Sequence, residues 1–190
     1  MISTRLTRRT FTSSLVYLSA GMSATAPVCA GPGSPDAGPA GAGLSHSSES
    51  IHQEIKFSAS RARVYDALTN SEQFDAVTRL SDGLALVTAP GAKATSISPE
   101  VGGAFTLFGG YITGRNLELL PGERLVQAWR TAAWKPGEYS VARFALMEDG
   151  AGTLVNFDHR GFPDGNGTHL ADGWHVHYWQ PLAQYLRAHT

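Results

Sequence analysis

The side chains best suited to chemistry in this sequence lie near its carboxyl end, where histidines alternate with aromatic residues. His175 and His177 stand two positions apart within Gly173 to Trp179. On a helix these two side chains point about 200° apart, so they cannot chelate one ion. His169 with Asp172 has a spacing that works on a helix, but one such pair supplies too few ligands for a metal site. The sequence therefore predicts no metal site.

His175 and seven aromatic residues are the candidates for lining a ligand cavity. Ligand pockets are mostly apolar and carry a few well-placed polar groups. His175 falls on the apolar arc of the predicted helix near its N-terminal end, where a neutral imidazole could bind a ligand or act as a base. The alternative is an ordinary core in which His175 makes one hydrogen bond. The candidates are Phe105, Phe108, Tyr111, Trp129, Trp134, Trp174, His175 and Tyr178.

No catalytic or cofactor-binding motif is found in the sequence. It has no Gly-x-Ser-x-Gly nucleophile elbow, no phosphate-loop spacing and no dinucleotide-binding pattern. The only cysteine is Cys29, and the net charge of −1 offers no electrostatic basis for binding nucleic acid. The sequence contains no run of 18 apolar residues, so it predicts no membrane span. We therefore predict no cofactor and no catalytic residues, and we favour a binding protein over an enzyme.

The elements that would position these side chains begin with a strand. Residues alternate between apolar and polar from Ile51 to Phe57, which is typical of a half-buried strand. Ser60 is a suitable N-cap for a short helix ending near Thr69, and Ser71 is suitable for a second. Two short helices would thus follow the first strand directly.

Turn signals then recur at hairpin spacing as far as Gly161. They separate runs rich in β-branched and aromatic residues, which predicts an antiparallel meander that curls. The predicted strands are Ala94–Ser98, Ala104–Phe108, Tyr111–Leu120, Arg124–Arg130, Glu138–Met147 and Thr153–Gly161.

A long amphipathic helix is predicted over Thr168 to His189, with Pro181 expected to bend it or remove one hydrogen bond. This helix is the only element long enough to cover the concave face of the curled sheet. The predicted fold class is therefore α+β, with one sheet wrapped around a C-terminal helix.

The N-terminal region predicts export. Residues 1–30 contain three arginines and no acid, then a modestly apolar stretch and the small-residue site Val28–Ala30, which is the order of a secretory signal. Thr7–Phe11 resembles the twin-arginine motif. Residues 31–50 are rich in Gly, Pro, Ala and Ser, which is typical of a flexible linker. The expected organisation is a signal, a linker and one domain over 51–190, located in the periplasm or secreted.

The order of elements and several motifs resemble the START-like (SRPBCC) superfamily with the helix-grip fold. The group that it most resembles is named after activators of heat-shock-protein ATPase. The likeness lies in Glu100–Phe105, in Gly109–Gly114, in Gly173–Trp179 and in the spacing of Trp129 after Pro121-Gly122.

The resemblance implies a cavity between the helix and the sheet that holds a small hydrophobic or amphipathic molecule. It also leaves two other functions open. Distant members of the superfamily include cyclases, and eukaryotic relatives dock on a chaperone and stimulate its ATPase. An exported protein would meet neither that chaperone nor ATP, so we expect ligand binding and not chaperone activation.

Overall fold

The computed structural model describes residues 3–6, as backbone, and residues 49–189. The expected signal and linker over 1–50 therefore lie outside the described residues, apart from Ser3–Leu6, Glu49 and Ser50. Ser3–Leu6 forms a short strand, which the sequence did not predict.

An eight-stranded antiparallel sheet forms most of the structure. Its strand order is β1-β2-β8-β7-β6-β5-β4-β3, so the strand that opens the domain pairs with the last strand of the meander. The strands are β1 Ser3–Leu6, β2 Ser50–Phe57, β3 Ser96–Ile97, β4 Ala104–Leu107, β5 Ile112–Leu120, β6 Arg124–Thr131, β7 Ser140–Asp149 and β8 Gly152–Arg160.

Helices cover one face of this sheet. They are α1 Arg61–Thr69, α2 Ser71–Arg79, α3 Leu84–Thr88, α4 Gly167–Trp174 and α5 Gln180–Ala188. A π-helical turn over His175–Trp179 joins α4 to α5 into one long C-terminal helix. The sheet curls around this helix, and the predicted α+β helix-grip fold is confirmed.

The two short helices follow β2 as expected. The N-cap of α1 is the predicted residue, but the N-cap of α2 is not. Ser60 caps α1, whereas α2 is capped by Asn70, whose side chain accepts hydrogen bonds from two backbone amides of the first turn. Ser71 instead accepts a hydrogen bond of 2.8 Å from the amide of Ile97. The hydroxyl predicted to cap α2 therefore ties that helix to β3.

The sheet has a close internal contact at Gly114 in β5. A methyl group at this position would lie far inside van der Waals distance of the carbonyl oxygen of Ala128 and of the Phe105 ring. Gly114 pairs with Trp129 of β6. Only a residue without Cβ lets the Phe105 ring pack directly on the backbone here.

The C-terminal helix departs from regular geometry just before Pro181. A proline inside a helix lacks an amide donor and its ring collides with the carbonyl four residues earlier. The π turn widens the helix over the residues that precede Pro181 and so accommodates the ring. Trp179, the last residue of this turn, is buried.

Candidate functional site

A cavity of about 670 Å³ lies between the strands β5 and β6 and the C-terminal helix. Its size is in the range of small-molecule sites in proteins. One wall comes from the 3₁₀ turn after β4, from β5, from β6 and from the loop that follows β6. That wall includes Phe108, Tyr111, Ile112, Trp129, Thr131 and Trp134, and the facing wall includes Asn166, His169, Leu170, Gly173, Trp174, His177 and Tyr178.

Six of the eight residues predicted from the sequence meet at this cavity. They are Phe108, Tyr111, Trp129, Trp134, Trp174 and Tyr178. Phe105 is buried beneath Gly114, outside the lining. His175 is also outside it, at the surface of the π turn, where its ring lies 3.0 Å from the side-chain amide of Gln180. The prediction that Phe105 and His175 face the cavity is therefore wrong.

His177 lines the cavity, as does His169, and the sequence analysis considered both histidines only as metal ligands. His177 lies four residues after Gly173 on the flank of the helix that also carries Asn166, His169 and Leu170. This stripe has spacings of three and four residues, and Gly173 leaves open space within it. A glycine followed by a histidine four residues later was the sequence pattern that could have indicated this side of the cavity.

Two residues that line the cavity each carry a buried polar atom with no hydrogen-bond partner among the described residues. They are Oγ1 of Thr131 and Nδ1 of His177. Thr131 ends β6 with its side chain on the inner face, two residues after Trp129. Buried polar groups in folded proteins are normally hydrogen-bonded, so these two atoms are exceptions to the general pattern.

The Tyr178 hydroxyl supplies a third polar group. It accepts a hydrogen bond of 3.4 Å from Nε1 of Trp129, and burial raises the pKa of the phenol. The hydroxyl therefore stays protonated at any physiological pH. Within the described part of the chain its proton has no acceptor, so it can donate to a molecule in the cavity.

The backbone is strained where Phe108 enters the cavity. Phe108 has a φ of 49°, which bulky residues rarely adopt, and its ring packs 5.3 Å from Tyr178 and 6.2 Å from His177. The next residue, Gly109, has a φ of 68° and lies against the carbonyl of Leu86. Strain of this kind persists only where surrounding contacts hold it, and it clusters at functional sites.

A neutral histidine lies behind the aromatic wall. His159 is completely buried, and its Nδ1 accepts a hydrogen bond of 2.9 Å from Nε1 of Trp174. Since an indole can only donate, the His159 proton is on Nε2, which lies 2.6 Å from Oγ of Ser140. Ser140 in turn donates to the carbonyl of Trp129 at 2.9 Å. Burial lowers the pKa of His159 to about 3, so this chain of hydrogen bonds stays uncharged.

A buried glutamine anchors the far side of the C-terminal helix. Nε2 of Gln53 donates to the carbonyl of Ala171 at 3.0 Å, and its Oε1 accepts from Nε1 of Trp179 at 2.5 Å. These bonds join β2 to the helix on both sides of Trp174. They hold the helix against the sheet so that the cavity remains on its other flank.

The mouth of the cavity is polar. Lys135, Glu138, Asn166 and His169 contribute to it, and Glu138 accepts a hydrogen bond of 2.8 Å from the amide of Lys135. Among residues 49–189, no group of three or more potential ligands could hold a metal ion. No helix in the described part of the chain is long and apolar enough to cross a bilayer.

Comparison with known proteins identifies the family. A family model described as "Activator of Hsp90 ATPase homolog 1-like protein" matches residues 58–187, which is well over half of the chain. The chain belongs to this family. The resemblance inferred from the motifs is therefore confirmed for the Activator of Hsp90 ATPase homolog 1-like domain, which extends here from the end of β2 through α5.

The curated relatives of this family member are much longer proteins. It is 37% identical over 76 residues to the activator of 90 kDa heat shock protein ATPase homolog of Dictyostelium discoideum, covering 40% of this chain and 20% of that protein. It is 22% identical over 89 residues to the human homolog 1, and this match covers 47% of this chain and 26% of that protein. The chain thus spans about a quarter or less of the curated relatives that it matches.

Solved structures share the fold. An HSP90 activator from Plasmodium falciparum aligns with a TM-score of 0.56 at 18% identity, covering 68% of this chain and 89% of that one. CalU16 from Micromonospora echinospora aligns with a TM-score of 0.55 at 21% identity, covering 73% of this chain and 76% of that one. At these identities the likeness extends to the family fold alone.

Proposed function

We propose that this protein binds a small, mostly apolar molecule in the cavity between the sheet and the C-terminal helix. The observation that carries the proposal is the coincidence of three features at one place. The cavity of about 670 Å³ has aromatic walls, the protonated hydroxyl of Tyr178 and a strained backbone turn. Empty volume and backbone strain both lower the free energy of unfolding, and such strain clusters at functional sites.

We do not propose activation of a chaperone ATPase for this chain. The match to the curated activators covers about a quarter or less of their length, so their activity does not transfer with the domain. We also propose that the N-terminal segment is an export signal. Export would separate the protein from a cytoplasmic chaperone and from ATP.

A second candidate function is catalysis on a molecule held in the same cavity. His177 and the protonated Tyr178 hydroxyl lie next to each other along the helix and both line the cavity, so they could move a proton on a bound substrate. We rank this second because no third group within residues 49–189 orients the His177 ring as in acid–base catalysts. Chemical change of a bound compound during incubation, abolished in His177→Phe, would favour it over simple binding.

Gly173→Leu should fill the cavity without unfolding the protein. The nearest atom to a Cβ at Gly173 is Cδ2 of His177, at 4.0 Å, so there is room for a side chain that points into the cavity. Replacing glycine inside a helix also favours folding by about 0.5–1 kcal/mol. Native mass spectrometry of protein purified from its own source should show an adduct on the wild type and at least ~10-fold lower occupancy on Gly173→Leu.

Gly173→Ala is the matched control for this experiment. It gains the same helix propensity but adds only one methyl group, so it should keep most of the adduct. Urea unfolding of both variants shows whether they remain as stable as the wild type. Equal occupancy of Gly173→Leu and the wild type would contradict binding in this cavity.

Export can be tested in the source organism. The mature protein should begin just after Ala30, and the double substitution Arg8→Lys with Arg9→Lys should retain the precursor inside the cell, because the twin-arginine route requires both arginines. The measurement is N-terminal sequencing of the protein from each cell fraction. An uncleaved N-terminus in the cytoplasm would contradict export while leaving the cavity proposal intact.

A further inference from the structure

We propose that Arg130 is a positioning residue of the cavity, because it holds Trp134 in place as part of the wall and so controls how tightly a molecule is retained. This inference rests on the proposed function and adds the way in which that site is closed. It is carried by the hydrogen bonds from the Arg130 guanidinium to the loop that contains Trp134.

The long connection between β6 and β7, residues 132–139, contains Trp134. Hairpin connections usually have about 2–5 residues, so a longer loop needs contacts of its own to keep one position. Four residues of this loop line the cavity, namely Ala133, Trp134, Lys135 and Glu138. The position of the loop therefore determines the shape of this side of the cavity.

The Arg130 side chain binds this loop from outside the cavity. Trp129 and Arg130 are neighbours on β6, so their side chains point to opposite faces, and Trp129 is the one of the two that lines the cavity. Nη2 of Arg130 donates to the carbonyls of Trp134 at 2.8 Å and of Lys135 at 3.3 Å. The guanidinium also lies 5.6 Å from the centre of the Tyr139 ring. One cation thus holds both the middle and the end of the loop.

The other hydrogen bonds of this loop near Trp134 are long or local. The amide of Trp134 donates to the carbonyl of Thr131 at 3.3 Å, and the amides of Lys135 and Glu138 bond to each other's residue. The Trp134 ring packs on Trp129 at 5.5 Å. An apolar contact of this kind tolerates sliding, whereas charge-assisted hydrogen bonds from a planar guanidinium fix a direction. Loss of the guanidinium should therefore loosen the Trp134 ring from the wall.

Acrylamide quenching of the intrinsic fluorescence tests this hold without any ligand. Arg130→Gln should raise the quenching constant about 2-fold relative to the wild type, because a loosened loop exposes the indole of Trp134. The same substitution made in Trp134→Phe should leave the quenching constant unchanged. Arg143→Gln is the matched control, since it removes an arginine from the adjacent strand β7 that pairs with Asp158 instead of with the loop.

The dissociation constant of 2-naphthol, a neutral ring compound small enough for the cavity, tests the consequence for binding. Isothermal titration calorimetry should show about 5-fold or more weaker binding to Arg130→Gln than to the wild type, and less than about 2-fold weakening in the Trp134→Phe background. Arg130→Lys should give an intermediate affinity, because an ammonium can reach a carbonyl but lacks the planar fork. Arg143→Gln should keep the affinity of the wild type.

The outcomes separate the role of Arg130 from the proposed function. An unchanged quenching constant in Arg130→Gln would overturn the positioning role, and so would equal weakening of 2-naphthol binding with and without Trp134. Failure of the wild type to bind 2-naphthol would overturn the proposed function, and the quenching comparison would then decide the hold on Trp134 by itself. Urea unfolding shows whether each variant is folded, and Arg130→Lys carries both measurements if Arg130→Gln is not.

Discussion

Gly114→Ala is expected to lower the free energy of unfolding by about 3 kcal/mol or more. The added Cβ would collide with the carbonyl oxygen of Ala128 on the neighbouring strand and with the Phe105 ring. A side chain can rotate away from a clash, but a carbonyl held in a sheet ladder cannot. The strands β5 and β6 would have to separate next to the Trp129 wall of the cavity.

The matched control is Gly137→Ala, in the turn that leads to β7. Gly137 has a φ of 86° and no atom lies within 4 Å of its added Cβ, so this substitution carries only the conformational cost. That cost is about 1–2 kcal/mol. Urea unfolding followed by far-ultraviolet circular dichroism compares the two variants with the wild type. Equal destabilisation by both substitutions would show that the close contact at Gly114 does not matter.

Acid is expected to destabilise the protein through His159. The folded-state pKa of about 3 is below the ordinary histidine value of 6.5, so the folded form resists protonation more than the unfolded form does. The stabilising contribution of the neutral ring is therefore complete above pH 6.5 and declines as the pH falls from 6.5 towards 3. Between pH 7.5 and 4.5 this one residue should account for a loss of about 2–3 kcal/mol in unfolding free energy.

Nuclear magnetic resonance can assign this loss to His159 in the wild-type protein. The ring should keep its proton on Nε2 down to about pH 4, because Trp174 donates to Nδ1 and Ser140 accepts from Nε2. Titration of the folded His159 ring near pH 6.5 would contradict the prediction.

The strands and the order of elements could be predicted from the sequence because local signals determine them. Alternation identified β2, and paired turn residues delimited the strands of the meander within a few positions. Neighbouring residues of a strand point to opposite faces of a sheet, so Asp158 and His159 of β8 are expected to lie on different faces. The structure agrees, with Asp158 in an outer cluster of charges and His159 fully buried.

The cavity side chains were harder to predict where regular geometry fails. An angle of 100° per residue placed His175 on the inner face, but the π turn before Pro181 breaks that period. The side chain of His175 then lies outside the cavity while His177 lines it. The helix α3 was also missed, since no side chain caps it and none of its five residues is buried. A local pattern cannot reveal features that depend on packing between distant segments.

The tryptophans give the protein an optical property of its own. All four in the sequence belong to one cluster, in which Trp129 lies 5.5 Å from Trp134 and 5.4 Å from Trp174, and Trp174 lies 5.8 Å from Trp179. At such separations the excited states of indole rings couple, so the near-ultraviolet circular dichroism and the emission spectrum arise from the cluster as a whole. Three of these rings line the cavity. A molecule that enters it therefore changes the intrinsic fluorescence of the entire chain, and the unlabelled protein is its own sensor of occupancy.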